Sequence, residues 1–382
     1  MSCERRTGRL RPVLRCSAAL TAVVVAVAIP TGAGSAPQRP PSPGLDRVTV
    51  RTRSAAQAEF AGYYAAKALG YYEDFGLDVS IKPGRPGTTP EQAVAAGGAQ
   101  IGVDWLPSVL ATRDTGTDLV SIAQVFARSG MAEIVWKSSG ITSIAGLKNK
   151  RVGVWCCGNQ FELYAALKKY GIDATDDKGV RIVNQAFDLK AFLSHKLDAA
   201  AALTYKELGQ VLATRNPRTG RLYTSKDLTV FKLQDEGTGM LEDGLFAKRS
   251  WLNGHRDAAV RFVAASDRGW IYCQRHVAEC TEIVLRYSPG LDWSRQRWQL
   301  NEVNQLVWPN PLGIGVMDPA AFKQTGAIAL DYKLIKSRAS GKAYDGMIAT
   351  EALTFLKSHA EGIGVRGSHY KPLTGQLTPS AK

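Results

Sequence analysis

The residue types best suited to chemistry in this chain are aromatics and carboxylates set just past short apolar runs. Asp104-Trp105 follows the run 101–103. Trp155 closes the run 151–155 and leads into Gly158, Asn159 and Glu162. Tyr205 and Glu207 follow the run 199–203. Phe60 and Tyr63 begin an amphipathic stretch, and Glu236, Thr238 and Met240 lie on a later polar segment. An indole or phenol face stacks on a flat ring, while carboxylates and a carboxamide read its donors and acceptors. This is the chemistry of recognition. Plainer readings stand beside it: Trp105 and Trp155 as packing, Asn159 as a helix cap only, Glu236 as part of a solvated turn. No Cys-x-x-Cys pair occurs and the five histidines are scattered, so the spacing supports no metal site.

The elements that must position these residues alternate. In the run from Gln57 to Val79, small and apolar residues at Phe60, Tyr63, Tyr64, Ala65, Ala68 and Leu69 predict a helix with one buried stripe. Gly70 ends it, and Gly76 punctuates the step into a strand over 77–81. Strands are predicted at 47–51, 79–82, 101–103, 120–126 and 134–137, with helices between them at 90–96 and 106–112. A second set has strands at 151–155, 181–183 and 199–203, with helices at 162–170 and 189–195. Such alternation argues for parallel-sheet α/β lobes. The run 230–233 reads as the strand that carries the chain back. From 257 onward the pattern is mostly helical. The expected organisation is a signal peptide over 1–36, a proline-rich disordered leader over 37–46, a first lobe over 47–129 and a second over 130–229. A return to the first lobe with packing helices covers 230–362, and a loose tail covers 363–382. Gly158 and Asn159, after a strand and at a helix start, are placed for close backbone approach and for donation to a ring edge.

The chain has 382 residues, 45% hydrophobic and 21% charged, which is a globular composition with room for two domains. Five arginines precede an apolar run over 18–30, and small residues follow at 33–36, the pattern of an export signal. Cys16 precedes that run instead of closing it, so no lipid anchor is expected. The protein is expected to be exported, periplasmic or associated with the cell surface. Removal of 1–36 takes the five arginines and Glu4 and lowers the formal charge from +14 to +10. No clustered Lys/Arg run with interleaved aromatics accompanies that charge, so no nucleic-acid partner is expected. In one unbroken helix Cys273 and Cys280 would stand about 10.5 Å apart, too far for a disulfide; a turn near 274–276 would bring them into range. A disulfide is expected there.

Several blocks carry a family resemblance: the Gln57–Val79 run, Ile101-Gly-Val-Asp-Trp105, the stretch from Val152 to Glu162, Thr204-Tyr-Lys-Glu-Leu208, the stretch from Asp235 to Asp243, and Arg297-Trp-Gln-Leu-Asn-Glu-Val303. Over about 48–348 the chain resembles substrate-binding proteins of ABC importers in the group that includes the thiamine-pyrimidine synthases. The last two blocks look most like the riboflavin-binding branch. The resemblance implies a type II periplasmic-binding fold, two α/β lobes with a ligand cleft between them. It also implies a small flat ligand, riboflavin or a thiamine-pathway pyrimidine, and an ABC permease and ATPase as partners of a monomeric protein. Synthases of this group need a lysine to hold pyridoxal phosphate and a histidine that is consumed. Those places are taken here by Asp104 and Ser108, and the cysteine-rich iron-binding run corresponds to Gln234–Met240 without a cysteine. No enzyme and no cofactor are therefore expected, and Ser108 joins the ligand-binding candidates. A sulfonate- or nitrate-type binding protein of the same fold is the other alternative, disfavoured by an aromatic and carboxylate-bearing pocket. Relatives often carry a tryptophan where this chain has Ser54, which leaves the ligand open within the group.

Overall fold

Strands that read as unbroken apolar runs, without polar alternation, are covered on both faces. Four strands, Ile101–Trp105, Leu119–Gln124, Met131–Trp136 and Ala199–Leu203, are buried along their whole length, with Asp104, Ser121, Gln124 and Glu133 buried among their apolar residues. The computed structural model describes residues 44–155, 159–175, 179–360 and 363–374; the segment read as a signal peptide, most of the expected leader, Cys156, Cys157 and Gly158 lie outside them. Among the described residues the strands are β1 (Asp46–Thr52), β2 (Leu77–Lys82), β3 (Ile101–Trp105), β4 (Leu119–Gln124), β5 (Met131–Trp136), β6 (Arg151–Val154), β7 (Arg181–Asn184), β8 (Ala199–Leu203), β9 (Leu228–Lys232) and β10 (Asp243–Lys248). The helices are α1 (Ala61–Ala68), α2 (Tyr71–Asp74), α3 (Pro90–Ala95), α4 (Leu106–Asp114), α5 (Phe161–Lys169), α6 (Lys190–Leu193), α7 (Glu207–Leu212), α8 (Arg249–Arg275), α9 (Val277–Tyr287), α10 (Trp293–Val307), α11 (Pro319–Asp331) and α12 (Gly346–His359).

The strands form two five-stranded sheets, ordered β2-β1-β3-β10-β4 and β7-β6-β8-β5-β9. In each sheet the three strands on one side run parallel and one inserted strand, β10 or β5, runs antiparallel to its neighbours. Two segments cross between the lobes, 125–130 from β4 into β5 and 233–242 from β9 into β10. The arrangement is the type II periplasmic-binding fold. The run read as the returning strand is β9, which instead pairs with β5 at the edge of the second sheet. The return is made by β10, hidden from sequence patterning because it opens on Asp243-Gly244, a turn-like pair. Gly244 is required there, since a Cβ would stand 2.8 Å from Gln124 Oε1. The second lobe therefore extends to Lys232.

The tail expected to be loose is ordered over 363–374. Ile314 N–H donates to Val365 O, Asn310 N–H to Arg366 O, and Leu373 N–H to Asn301 Oδ1 at 2.7 Å. Val365 is buried against the core, which supplies the apolar anchor its polar neighbours concealed. At the other end of the helical part, α8 stops where His276 leaves helical geometry and α9 begins. That turn brings Cys273 and Cys280 to a Cα separation of 5.4 Å, and a disulfide joins them.

The first lobe is held to the helical part where α1 crosses α8. The crossing is close because it is made of glycine: a Cβ at Gly269 would lie 2.0 Å from Gly62 O, and one at Gly62 would lie 2.3 Å from the Trp270 ring. Trp270 in turn meets Tyr63 edge-on at 5.8 Å and Phe126 at 6.2 Å, and Phe126 meets Tyr205 at 5.9 Å. This aromatic series runs from α1 through the first crossing segment to the second lobe. Gly269→Ala is expected to destabilise the protein by roughly 1–3 kcal/mol through overpacking, outweighing the gain of about 1 kcal/mol in helix propensity. A denaturant midpoint that is unchanged or raised would show that the two helices separate freely.

Candidate functional site

Strand ends in parallel α/β sheets leave their last residues facing the crevice beyond the sheet. Here β1 delivers Arg53, β3 delivers Asp104 and Trp105, and the antiparallel β10 begins there with Asp243. From the facing lobe β6 delivers Trp155 and β8 delivers Tyr205 and Glu207. The chain after β1 turns into α1 through Gln57 and Glu59.

Arg53 organises the first lobe's side. Its guanidinium pairs with Glu59, lies 3.7 Å from Asp104 and 3.4 Å from Asp243, and stacks over the Trp105 ring at 5.0 Å. Burial works against its charge, but Glu59, Asp243, Tyr205 and Asp104 more than offset this and hold its pKa above the ordinary value. Asp104 Oδ1 also accepts from Trp105 N–H at 2.7 Å. Carboxylates nonetheless outnumber the guanidinium. Burial, with Glu91 beside it, pushes Asp104 well above the usual carboxylate range, and burial does the same to Asp243. Several polar atoms at the site accept or donate no hydrogen bond within the protein: Trp105 Nε1, Trp155 Nε1, Glu207 Oε1 and both Asp243 oxygens, of which Oδ1 faces Arg53.

Beneath the cleft the two crossing segments are tied together. Glu242 accepts from Gly130 N–H at 2.6 Å and from Tyr205 O–H at 3.0 Å. Ser129 Oγ accepts from Met131 N–H at 3.0 Å, and lies 2.7 Å from Glu162 Oε2 and 3.1 Å from Glu242 Oε1. A hydroxyl has one proton, so it donates to one carboxylate and must accept from the other. Glu242 takes two further donors and Glu162 one, Met240 N–H, so the proton shared across Ser129 is held more readily by Glu162. Burial, reinforced by Glu242, pushes Glu162 well above its ordinary value, in agreement. Ser129 N–H donates to Gln234 Oε1 at 3.1 Å, closing the tie.

The structure gathers Asp104, Trp105 and Tyr205 around Arg53, while Glu207 accepts from Leu203 N–H at 3.2 Å and feels the charge of Glu59. Trp155 is buried across the cleft, stacked on Phe187 at 5.3 Å. Glu162 belongs to the carboxyl pair beneath. Phe60 and Tyr63 are fully buried in the core, with the Tyr63 ring edge-on to Trp270 and its hydroxyl close enough to Asp243 to feel that charge. Asn159 is half-buried ahead of α5, and Ser108 is exposed in the first turn of α4. Glu236 accepts from Tyr170 O–H at 2.9 Å on the second lobe's surface, and Thr238 donates to Leu233 O within the return segment. Met240 is buried beside α11.

Sequence reasoning missed Arg53, Glu59 and Glu242, and it left out Trp298. Arg53 occupies the same strand-end position as Asp104, which is the signal that would have found it. Trp298 lines a cavity of about 250 Å³ between Gln57 of the first lobe and Tyr205 and Lys206 of the second. A wider groove of about 730 Å³ lies under the C-terminal tail and touches neither lobe's strand ends. Among the described residues no group of three His, Cys, Asp or Glu side chains is placed to hold a metal, and no helix is long and apolar enough to cross a membrane.

Burial raises Glu242 from its ordinary range to about 7, partly opposed by Gly130 N–H, Tyr205 and Arg53. A carboxyl whose pKa is higher folded than unfolded binds its proton more tightly when folded. Its contribution to stability is therefore present below the unfolded value and is lost as pH rises toward 7, by on the order of 3 kcal/mol. Thermal melts between pH 4.5 and 7.5 are expected to show stability falling across that window. Glu242→Gln, which keeps an acceptor for Gly130 N–H, is expected to flatten the slope. A slope identical to that of the unaltered protein would remove Glu242 as its source.

The family model described as NMT1/THI5 like matches residues 57–279. A putative thiamine biosynthesis protein of Haemophilus influenzae is 24% identical over 277 residues, 71% of this chain and 81% of that protein. Riboflavin-binding protein RibY of Chloroflexus aurantiacus is 25% identical over 312 residues, 78% of this chain and 85% of that one. Among solved structures, the periplasmic aliphatic sulphonate binding protein SsuA of Escherichia coli superposes with a TM-score of 0.61 at 16% identity, covering 77% of this chain and 95% of SsuA. The match covers more than half the sequence, takes in both crossing segments and the strand ends at Asp104, Trp105, Trp155, Tyr205 and Asp243, and the chain belongs to the NMT1/THI5-like family.

Proposed function

We propose that this protein is the extracytoplasmic solute-binding component of an ABC importer. It captures a flat heteroaromatic vitamin or precursor between its lobes, riboflavin first and a thiamine-pathway pyrimidine second, and delivers it to a permease and its ATPase. The observation that carries this reading is the state of Arg53. The cation at the first lobe's strand ends is enclosed by Glu59, Asp104 and Asp243, and further buried carboxyls stand nearby. An anion entering there meets an excess of carboxyl groups, whereas a neutral ring offering N–H donors meets acceptors and the free indole N–H groups of Trp105 and Trp155. The match to RibY over most of both chains supports the same ligand class. Closing two lobes on a bound ring is a hinge motion, and the crossing segments supply the hinge.

The synthase reading of the family does not fit these residues. Pyridoxal phosphate requires an amine for its aldehyde, and the corresponding position is Asp104, a buried carboxylate fixed by Trp105 N–H and Arg53. The five histidines lie at 195, 255, 276, 359 and 369, away from the strand ends that form the cleft. The protein is accordingly read as a carrier that performs no reaction on its ligand.

Calorimetry against riboflavin, pyrimidine precursors, taurine and nitrate tests the assignment. One heteroaromatic per chain is expected to bind with micromolar or tighter affinity, on the order of −8 kcal/mol. Trp155→Ala is expected to weaken it by roughly 2 kcal/mol or more, the scale of a buried aromatic anchor. Tight binding of taurine or nitrate with none of the heteroaromatics would place the protein with the small-anion carriers. In a separate experiment, incubation with pyridoxal phosphate is expected to give no imine absorbance. An imine on any cleft lysine would reopen the enzyme reading.

A further inference from the structure

The flat-ring reading leaves the 250 Å³ cavity beside the cleft without an occupant. We propose that this cavity is a subsite for a neutral polyhydroxylated chain attached to the ring, so that the ligand is a heteroaromatic bearing a sugar-alcohol-type substituent and not a bare pyrimidine. The proposal rests on the flat-ring reading and sharpens it.

The cavity lies under the N-terminal half of α10 and is walled by both lobes, with Gln57 on one side and Tyr205 and Lys206 on the other. At about 250 Å³ it has room for a short substituent chain beside the cleft. The polarity of its wall is fixed by a relay of amides. Gln57 Nε2 donates to Glu59 Oε2 at 2.7 Å and to Ser54 Oγ at 2.8 Å, so a carboxylate sets which way Gln57 points. Its Oε1 then faces Gln299 and accepts from Nε2 at 3.3 Å. Gln299 is thereby oriented in turn, and its Oε1 is left without a donor although the residue is only 3% exposed. Gln296 Oε1 accepts from Ala58 N–H at 2.7 Å, which leaves its Nε2 to donate.

A buried acceptor without a donor costs free energy that a ligand hydroxyl recovers. A hydroxyl both donates to Gln299 Oε1 and accepts from Gln296 Nε2; a phosphate or carboxylate supplies no proton for Gln299. The cations at the rim, Lys206 and Arg295, are accompanied by Asp292, and this mixed rim suits hydroxyls. Trp298 and Leu291 complete the wall with apolar surface for the carbon backbone of such a chain.

Titration calorimetry of the purified protein with three probes tests this. They are riboflavin, the same tricyclic ring without its chain (lumichrome), and riboflavin 5′-phosphate. Riboflavin is expected to bind at least about tenfold more tightly than lumichrome, the equivalent of one buried hydrogen bond. Gln299→Met is expected to remove that advantage while leaving lumichrome within about twofold of its unaltered affinity. Equal affinity of the unaltered protein for riboflavin and lumichrome overturns the subsite and leaves the flat-ring reading standing. Tighter binding of the 5′-phosphate than of riboflavin overturns the neutral-chain assignment and makes the cavity an anion subsite. Binding of neither ring removes the riboflavin-type ligand and this proposal with it, and leaves the pyrimidine to the calorimetry described above. The comparison of probes on the unaltered protein decides the matter even if the variant does not fold.

Discussion

Arg53 is a half-buried cation whose Nε is shut off from water, and carboxylates come to meet it. Glu59, Asp104 and Asp243 do so from a loop, the end of β3 and the start of β10. These positions are far apart in sequence, so one guanidinium fixes where three segments of the first lobe end. Trp105 is held under the same group, and Gln57 is aligned by the same Glu59. The geometry of the ring wall and that of the side cavity therefore descend from one ion cluster. A protein that used this arginine to seize an anion would have to release it from its own carboxylates first.

The floor of the cleft obeys a related constraint. Ser129 and Glu242 belong to the crossing segments, and Glu162 belongs to the second lobe. Their hydrogen bonds close only when one of the two carboxyls is neutral. Two negative charges sharing one hydroxyl in a buried site would repel without enough donors to compensate. Protonation is thus part of how the lobes are joined, and Tyr205 connects that floor to the cleft wall through Glu242.

Much of this was legible in the sequence, for definite reasons. Apolar runs followed at once by Asp104-Trp105, Trp155 or Tyr205 mark strand ends, and parallel sheets gather their strand ends at one edge. The two lobes followed from the alternation of runs. What stayed hidden depended on contacts between distant segments. Arg53 looks like any surface arginine until Asp243 arrives 190 residues later to pair with it. β10 was concealed by Asp243-Gly244, and its glycine is there because Gln124 leaves no space for a side chain. The stripe of α1 was visible, but the pattern cannot say that its partner is α8. For Trp298 the helical spacing identified a packed face without telling which lobe it would pack on.

That last residue has a mechanical consequence. Helix α10 is anchored at its C-terminal end by Arg128 of the first crossing segment, which donates to the carbonyls of Gln305, Leu306 and Trp308. Its Trp298 ring presses on α7 of the second lobe at Gly209, where a Cβ would stand 2.4 Å from the indole. The helix is therefore braced between the hinge and the far lobe, like a spacer set in a door frame. How near the lobes approach at this end is set by the thickness of an indole, and the missing side chain at position 209 is the clearance that permits it.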